Sequence, residues 1–166
     1  MLSRRQVLLA LSVLPLVTAR PLRAAAAETL LRVSGSIGES ASGGAIEYDA
    51  AGLSALPQTS FHTTTPWNST PVEYRGVAAR DLLQAVGARG EHLQLIALND
   101  YVVEAKTSNI VAADGLFATH QDGVPMPISD KGPVFLLFPF DARPELKHQS
   151  YYSRSVWQLT EIVVAP

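Results

Sequence analysis

Thr59-Ser-Phe-His-Thr-Thr-Thr-Pro-Trp67 starts as one kind of structure and ends as another. Thr and aromatic residues predict a strand over Thr59 to Thr64, because branched and ring side chains fit a pleated surface. Pro66 has no amide hydrogen and restricts Thr65, so the strand stops at Thr65-Pro66 and Trp67 is delivered into a loop. Alternation along the strand sends His62 and Thr63 to opposite faces, one toward a pocket and the other toward core or solvent.

Outward from this stretch the chain reads as short strands with a few short helices. Upstream, Leu30 to Val33 is a strand and the Gly/Ser-rich run from Ser34 to Gly44 a loop or an irregular strand. Ile46 to Tyr48 leads to Asp49, an N-cap for a short helix ended by Pro57. Downstream, Val72 to Tyr74 is a short strand, with Arg75-Gly76 turning the chain into a helix over Ala78 to Val86. On that helix Ala79, Leu82, Leu83 and Val86 share one face, and Gly87 stops it. Leu93 to Leu98 and Tyr101 to Lys106 form a hairpin about Asn99-Asp100, and a helical segment lies around Asn109 to Ala113. Leu116 to Gln121 runs into the Asp122-Gly123 turn. Val134 to Phe138 is an apolar buried strand, and Val156 to Val164 is a closing inner strand. Strands outnumber helices without alternating regularly with them, which predicts a mixed α+β domain.

The first 27 residues have a different composition. Arg4 and Arg5, an apolar run from Val7 to Val17 and four alanines before Glu28 have the layout of an export signal, so 28–166 is expected as the mature, single periplasmic domain. Ser3-Arg4-Arg5-Gln6-Val7-Leu8 resembles a twin-arginine motif. The apolar run is far shorter than the ~20 residues needed to span a bilayer. Leaving out Arg4, Arg5, Arg20 and Arg23 takes the 13 basic residues to 9 against 15 acidic ones, a balance of −6. That charge argues against nucleic acid as a partner. No Gly-x-Ser-x-Gly elbow supports a serine hydrolase, and no Gly-rich loop supports nucleotide binding. His62, His92, His120 and His148 lack metal-type spacing. Asn68-Ser69-Thr70 fits a glycosylation acceptor, read here as coincidence. The chain contains no cysteine, so its stability rests on its core.

Seven segments in order carry a family resemblance: Phe61 to Trp67, Tyr74 to Leu83, Asn99-Asp100-Tyr101, Asp122 to Met126, Lys131-Gly132-Pro133, Pro139-Phe140-Asp141, and Ser153 to Trp157. Together they resemble the oxidoreductase molybdopterin-binding domain of the sulfite oxidase superfamily, which implies a strand-rich α+β fold of that type. In the sulfite oxidases of that superfamily, the strand matching Thr59 to Thr64 ends in a cysteine whose thiolate ligates molybdenum, and the matching position is Thr63. A Thr hydroxyl is hard and neutral where such a metal takes a soft thiolate, so molybdenum is not expected and redox catalysis is in doubt. The resemblance to small cysteine-lacking relatives implies a periplasmic pterin-binding protein without catalysis. Its partner would be a membrane-bound signalling protein such as a cyclic-di-GMP cyclase or phosphodiesterase. The alternative is a molybdopterin-dependent oxidoreductase or its cofactor-carrying accessory subunit.

A pterin is a flat ring with an amino-oxo edge, so its site needs apolar faces and a carboxylate or amide. Trp67, Tyr101, Tyr152 and Trp157 are candidate faces, while Asn99, Asp100 and Asp141 are candidates for the edge. Lys131 and Arg154 could meet a phosphate or ring carbonyl, and the hydroxyls of Thr63, Thr64 and Thr65 would line the floor. Each has a plainer reading. Trp157 reads first as core, Asn99-Asp100 as a turn, and Asp141 with Arg154 as an ion pair.

Overall fold

Two five-stranded sheets frame the protein in the computed structural model, which describes residues 28–38 and 44–166. The expected leader and part of the Gly/Ser-rich loop lie outside the described residues. The first sheet has the order β2-β1-β10-β5-β6, from β1 (Leu31–Gly35), β2 (Ala45–Tyr48), β5 (His92–Ala97), β6 (Val102–Lys106) and β10 (Leu159–Ala165). β10 lies inside it, parallel to β1 and antiparallel to β5, and so closes the chain as an inner strand. The second sheet runs β3-β4-β7-β8, from β3 (Gln58–Thr65), β4 (Asn68–Ala78), β7 (Leu116–Gln121) and β8 (Val124–Pro125), with β9 (Phe135–Leu137) paired to β7.

Four short helices fill the connections: α1 (Ala50–Ala55), α2 (Ala79–Ala85), α3 (Thr107–Ala112) and α4 (Gln149–Tyr152). Asp49 caps α1 by accepting a hydrogen bond from the Gly52 amide at 2.7 Å. α2 buries Ala79, Leu82 and Leu83, with Val86 beside them, on the face that the sequence spacing predicts. The main core joins these residues to Leu31, Leu93, Leu95, Leu159 and Ile162 of the first sheet and to Phe138 and Phe140. A second cluster, built on Val72, Tyr74, Leu116, Phe135 and Leu137, lies in the second sheet.

Three sequence expectations change. Arg75-Gly76 does not turn the chain, because β4 continues as one strand of 11 residues to Ala78. Gly76 instead lets β7 approach: a Cβ there would run into the Phe117 carbonyl, and the ladder shifts register between Arg75 and Gly76. The closing strand starts at Leu159 rather than Val156, since Gln158 takes a left-handed backbone at φ 51°. The helical turn α4, capped by the His148 ring accepting from the Ser150 amide at 3.3 Å, has no counterpart in the sequence reading. The two expected turns do form: Asp100 lies at φ 62°, and Asp122 and Gly123 at 49° and 78°, the left-handed region that Asp, Asn and Gly tolerate.

Candidate functional site

The β3-β4 hairpin carries Trp67 at its tip. Thr65 pairs with Asn68, so Pro66 and Trp67 form a tight turn, and the Trp67 amide donates to the Thr65 hydroxyl at 3.2 Å. The indole rests edge-on against buried Phe135 at 6.1 Å and against Trp157 at 4.9 Å. Both tryptophans keep an open side, with 41% of Trp67 and 37% of Trp157 exposed. The reading of Trp157 as core is thereby corrected. It precedes β10 rather than lying within it, and its indole forms a wall with Trp67.

Beside this pair of rings lies a cleft of about 520 Å³, inside the ~300–1,000 Å³ usual for small-molecule sites. Asn99 and Tyr101 reach it from the β5-β6 turn, and Tyr152, Gln149 and Ser153 from α4 and its end. None of its lining residues is charged. A smaller cleft of about 280 Å³, lined by Thr64, Thr65, Phe140 and Lys147, shares Pro66 and Tyr152 with the first. Tyr152 is supported from behind by Phe140, ring to ring at 5.2 Å.

Asp141 joins the two loops that form these walls. Its carboxylate accepts from the Thr64 amide at 2.6 Å, the Thr64 hydroxyl at 2.7 Å and the Lys147 ammonium at 2.7 Å. The Lys147 bond, followed by the two from Thr64, lowers the Asp141 pKa from 3.8 to about 2. Thr63, fully buried, locks the same junction: its hydroxyl accepts from the Asp141 amide at 3.1 Å and donates to the Thr64 carbonyl at 3.0 Å. His62, next to it, is exposed on the opposite face.

The structure thus brings Trp67, Asn99, Tyr101, Tyr152 and Trp157 to one cleft, with Thr64 and Thr65 at the adjoining one. Thr63 and Asp141 lie beneath and beside them as the clasp. The remaining charged candidates line neither cleft. Asp100 occupies the turn, its amide donating to Ala97. Lys131 pairs with Asp130 at 2.8 Å. Arg154 stacks over the Tyr151 ring at 5.4 Å instead of pairing with Asp141. Sequence reasoning missed Gln149, Ser153 and Lys147, all from the segment around α4. A four-residue helix has too little periodicity to announce itself, and the only signal is His148-x-Ser150, a local capping pattern. Among the described residues no group of three or more His, Asp or Glu is placed to hold a metal, and no helix is long and apolar enough to cross a membrane.

No family model matches the chain, and no curated protein does. Among solved structures it is similar to the sulfane dehydrogenase SoxCD from Paracoccus pantotrophus, with a TM-score of 0.62 and 13% identity. The match covers 82% of this chain but only 38% of that one. At this identity the likeness is one of fold. The architecture is mixed α+β, strand-rich and of the sulfite-oxidase-like kind, a distant relation carried by backbone rather than sequence.

Proposed function

We propose that this protein binds a pterin in the Trp67–Trp157 cleft, carries no redox chemistry of its own, and reports ligand occupancy in the periplasm to a membrane-bound signalling partner of the cyclic-di-GMP cyclase or phosphodiesterase type. The observation that carries the reading is the cleft itself: one wall of two indoles in edge contact, 4.9 Å between centroids and each with an open side, two tyrosines, and the amides of Asn99 and Gln149, with no charged lining residue. A neutral flat ring with an amino-oxo edge meets apolar faces for its planes and amide donors and acceptors for its edge.

Thr63 supports the absence of redox chemistry. At the position that resembles the metal-ligating cysteine, the side chain is a hard, neutral hydroxyl, and both its donor and acceptor roles are taken inside the protein. Such a group does not fit a molybdenum ligand. The leader-like residues at the start of the sequence support a periplasmic site of action. Signalling draws on the geometry of the clasp. A ligand between Trp67 and Tyr152 touches both loops that Asp141 joins, and the response is bounded by its differential affinity for their arrangements.

Protein purified from its own periplasm tests the reading through metal analysis and the small molecule released on denaturation. A metal-free protein that releases a fluorescent pterin supports it. Stoichiometric molybdenum would instead establish the alternative, an oxidoreductase or its cofactor-carrying subunit.

A further inference from the structure

The sheets leave five strands with a single strand neighbour among the described residues: β2 and β6 in one, and β3, β8 and the fully buried β9 in the other. An open edge offers unpaired amides and carbonyls to any passing strand, and proteins guard against this with charge, proline or brevity. Three of the edges are guarded in this way. β2 has four residues and carries Glu47, β6 carries Glu104 and Lys106, and β8 has two residues, one of them Pro125. β3 has eight residues, Gln-Thr-Ser-Phe-His-Thr-Thr-Thr, with neither charge nor proline.

Its backbone groups face outward at defined positions. Glu73 turns its carbonyl and amide toward Asp122, on the β7 side of β4, with bonds of 2.9 and 3.1 Å. Since His62 pairs with Glu73, alternation directs the amide and carbonyl of His62, and likewise of Ser60, away from β4. Thr64 confirms the sense: its amide meets Asp141, which ends the open stretch. Ser60 and His62 are exposed, and Phe61 between them is half-buried against the second core cluster.

We propose that this edge is a homodimer interface, in which β3 of a second copy pairs antiparallel with β3 about a two-fold axis at Phe61. In that register the outward groups of Ser60 meet those of His62 from the other copy, and the reverse, giving a closed set of hydrogen bonds. Phe61 opposes Phe61 as a non-hydrogen-bonded pair, where side chains approach most closely and aromatic pairs contribute. The neighbouring strands match as well. Ser60 lies beside Arg75 and His62 beside Glu73, so each row across the four central strands runs Arg75, Ser60, His62, Glu73, with opposite charges at its ends and no like charges opposed. The two second sheets then become one continuous sheet. An edge contact belongs with small interfaces, below ~1,200 Å², so the dimer dissociates on dilution.

Sedimentation of the purified protein from low to high micromolar concentration tests this, with circular dichroism as the check on folding. The wild type is expected to pass from monomer to dimer. Ser60→Pro removes one outward amide at an edge that tolerates proline, and His62→Lys places a charge there. Either raises the dissociation constant at least tenfold with the fold unchanged. Because the chain has no cysteine, Phe61→Cys reads the register: mild oxidation links two copies covalently, whereas Val124→Cys, although more open to solvent, stays mainly unlinked. A wild type that is monomeric throughout, as it would be if β3 served a different protein's strand, overturns the proposal. So does a dimer that survives both edge variants, or linkage equal at Phe61 and Val124.

Discussion

Replacing Asp141 with Asn isolates the clasp between the two cleft loops. The carboxylate holds three donors, at 2.6, 2.7 and 2.7 Å, and its pKa is lowered from 3.8 to about 2 chiefly by Lys147 and then by Thr64. A shift of that size corresponds to roughly 2.5 kcal/mol of preference for the charged form in the folded state. The side chain keeps 30% of its exposure and Lys147 keeps 42%, so solvent screening reduces the expected contribution to about 1–2 kcal/mol. Asn retains one acceptor and the shape but loses the charge and the second acceptor, so Asp141→Asn should lose most of this at neutral pH. The pH dependence has a fixed sign. A carboxylate whose folded pKa is depressed stabilises fully above its unfolded value near 3.8, and the contribution is lost as pH falls through about 2. Urea unfolding from neutral pH down to about pH 2, followed by Trp fluorescence, should therefore show the variant less stable at neutral pH and converging with the wild type in acid. Equal stability at neutral pH, or a deficit that persists unchanged into acid, refutes the clasp.

Other substitutions probe the walls and the frame. Trp67→Ala should weaken pterin binding by about 1 to 3 kcal/mol through lost stacking area while folding stays nearly intact, read by calorimetric titration beside thermal melting. Unfolding of that variant would instead make Trp67 a structural residue. Thr63→Val removes the hydroxyl that accepts from the Asp141 amide and should cost about 0.5–1.5 kcal/mol in denaturant unfolding. Thr63→Cys should not create oxidase activity in a sulfite assay, because a ligand without supporting neighbours rarely makes a competent site. Gly76→Ala forces a methyl into the Phe117 carbonyl and should lower stability by about 1–3 kcal/mol, seen as a lower melting temperature.

Much of the frame was legible because local chemistry and tertiary context agree there. Asp49 caps a helix, Asp122-Gly123 turns a hairpin, and the apolar face of α2 is the one that packs. Gly76 was misread because a glycine that permits a turn and one that permits close approach of a neighbouring strand look alike in sequence. Only the partner β7 distinguishes them. The aromatic members of the cleft could be named in advance, since Trp67 follows a proline that breaks its strand. The charged candidates could not be sorted: Asp141 chooses Lys147, six residues away, while Arg154 takes the Tyr151 ring, and neither choice has a periodic signature. Gln149 and Ser153 reach the cleft on a single helical turn that sequence periodicity is too short to reveal.

Calorimetric titration of ligand-free protein with a pterin, run on the wild type and on Trp67→Ala, tests the central claim most directly. The account predicts saturable binding at one pterin per chain in the wild type, weakened at least several-fold in the variant, with both proteins equally folded. Absence of any binding by the folded wild type, or identical affinity in both, would contradict it.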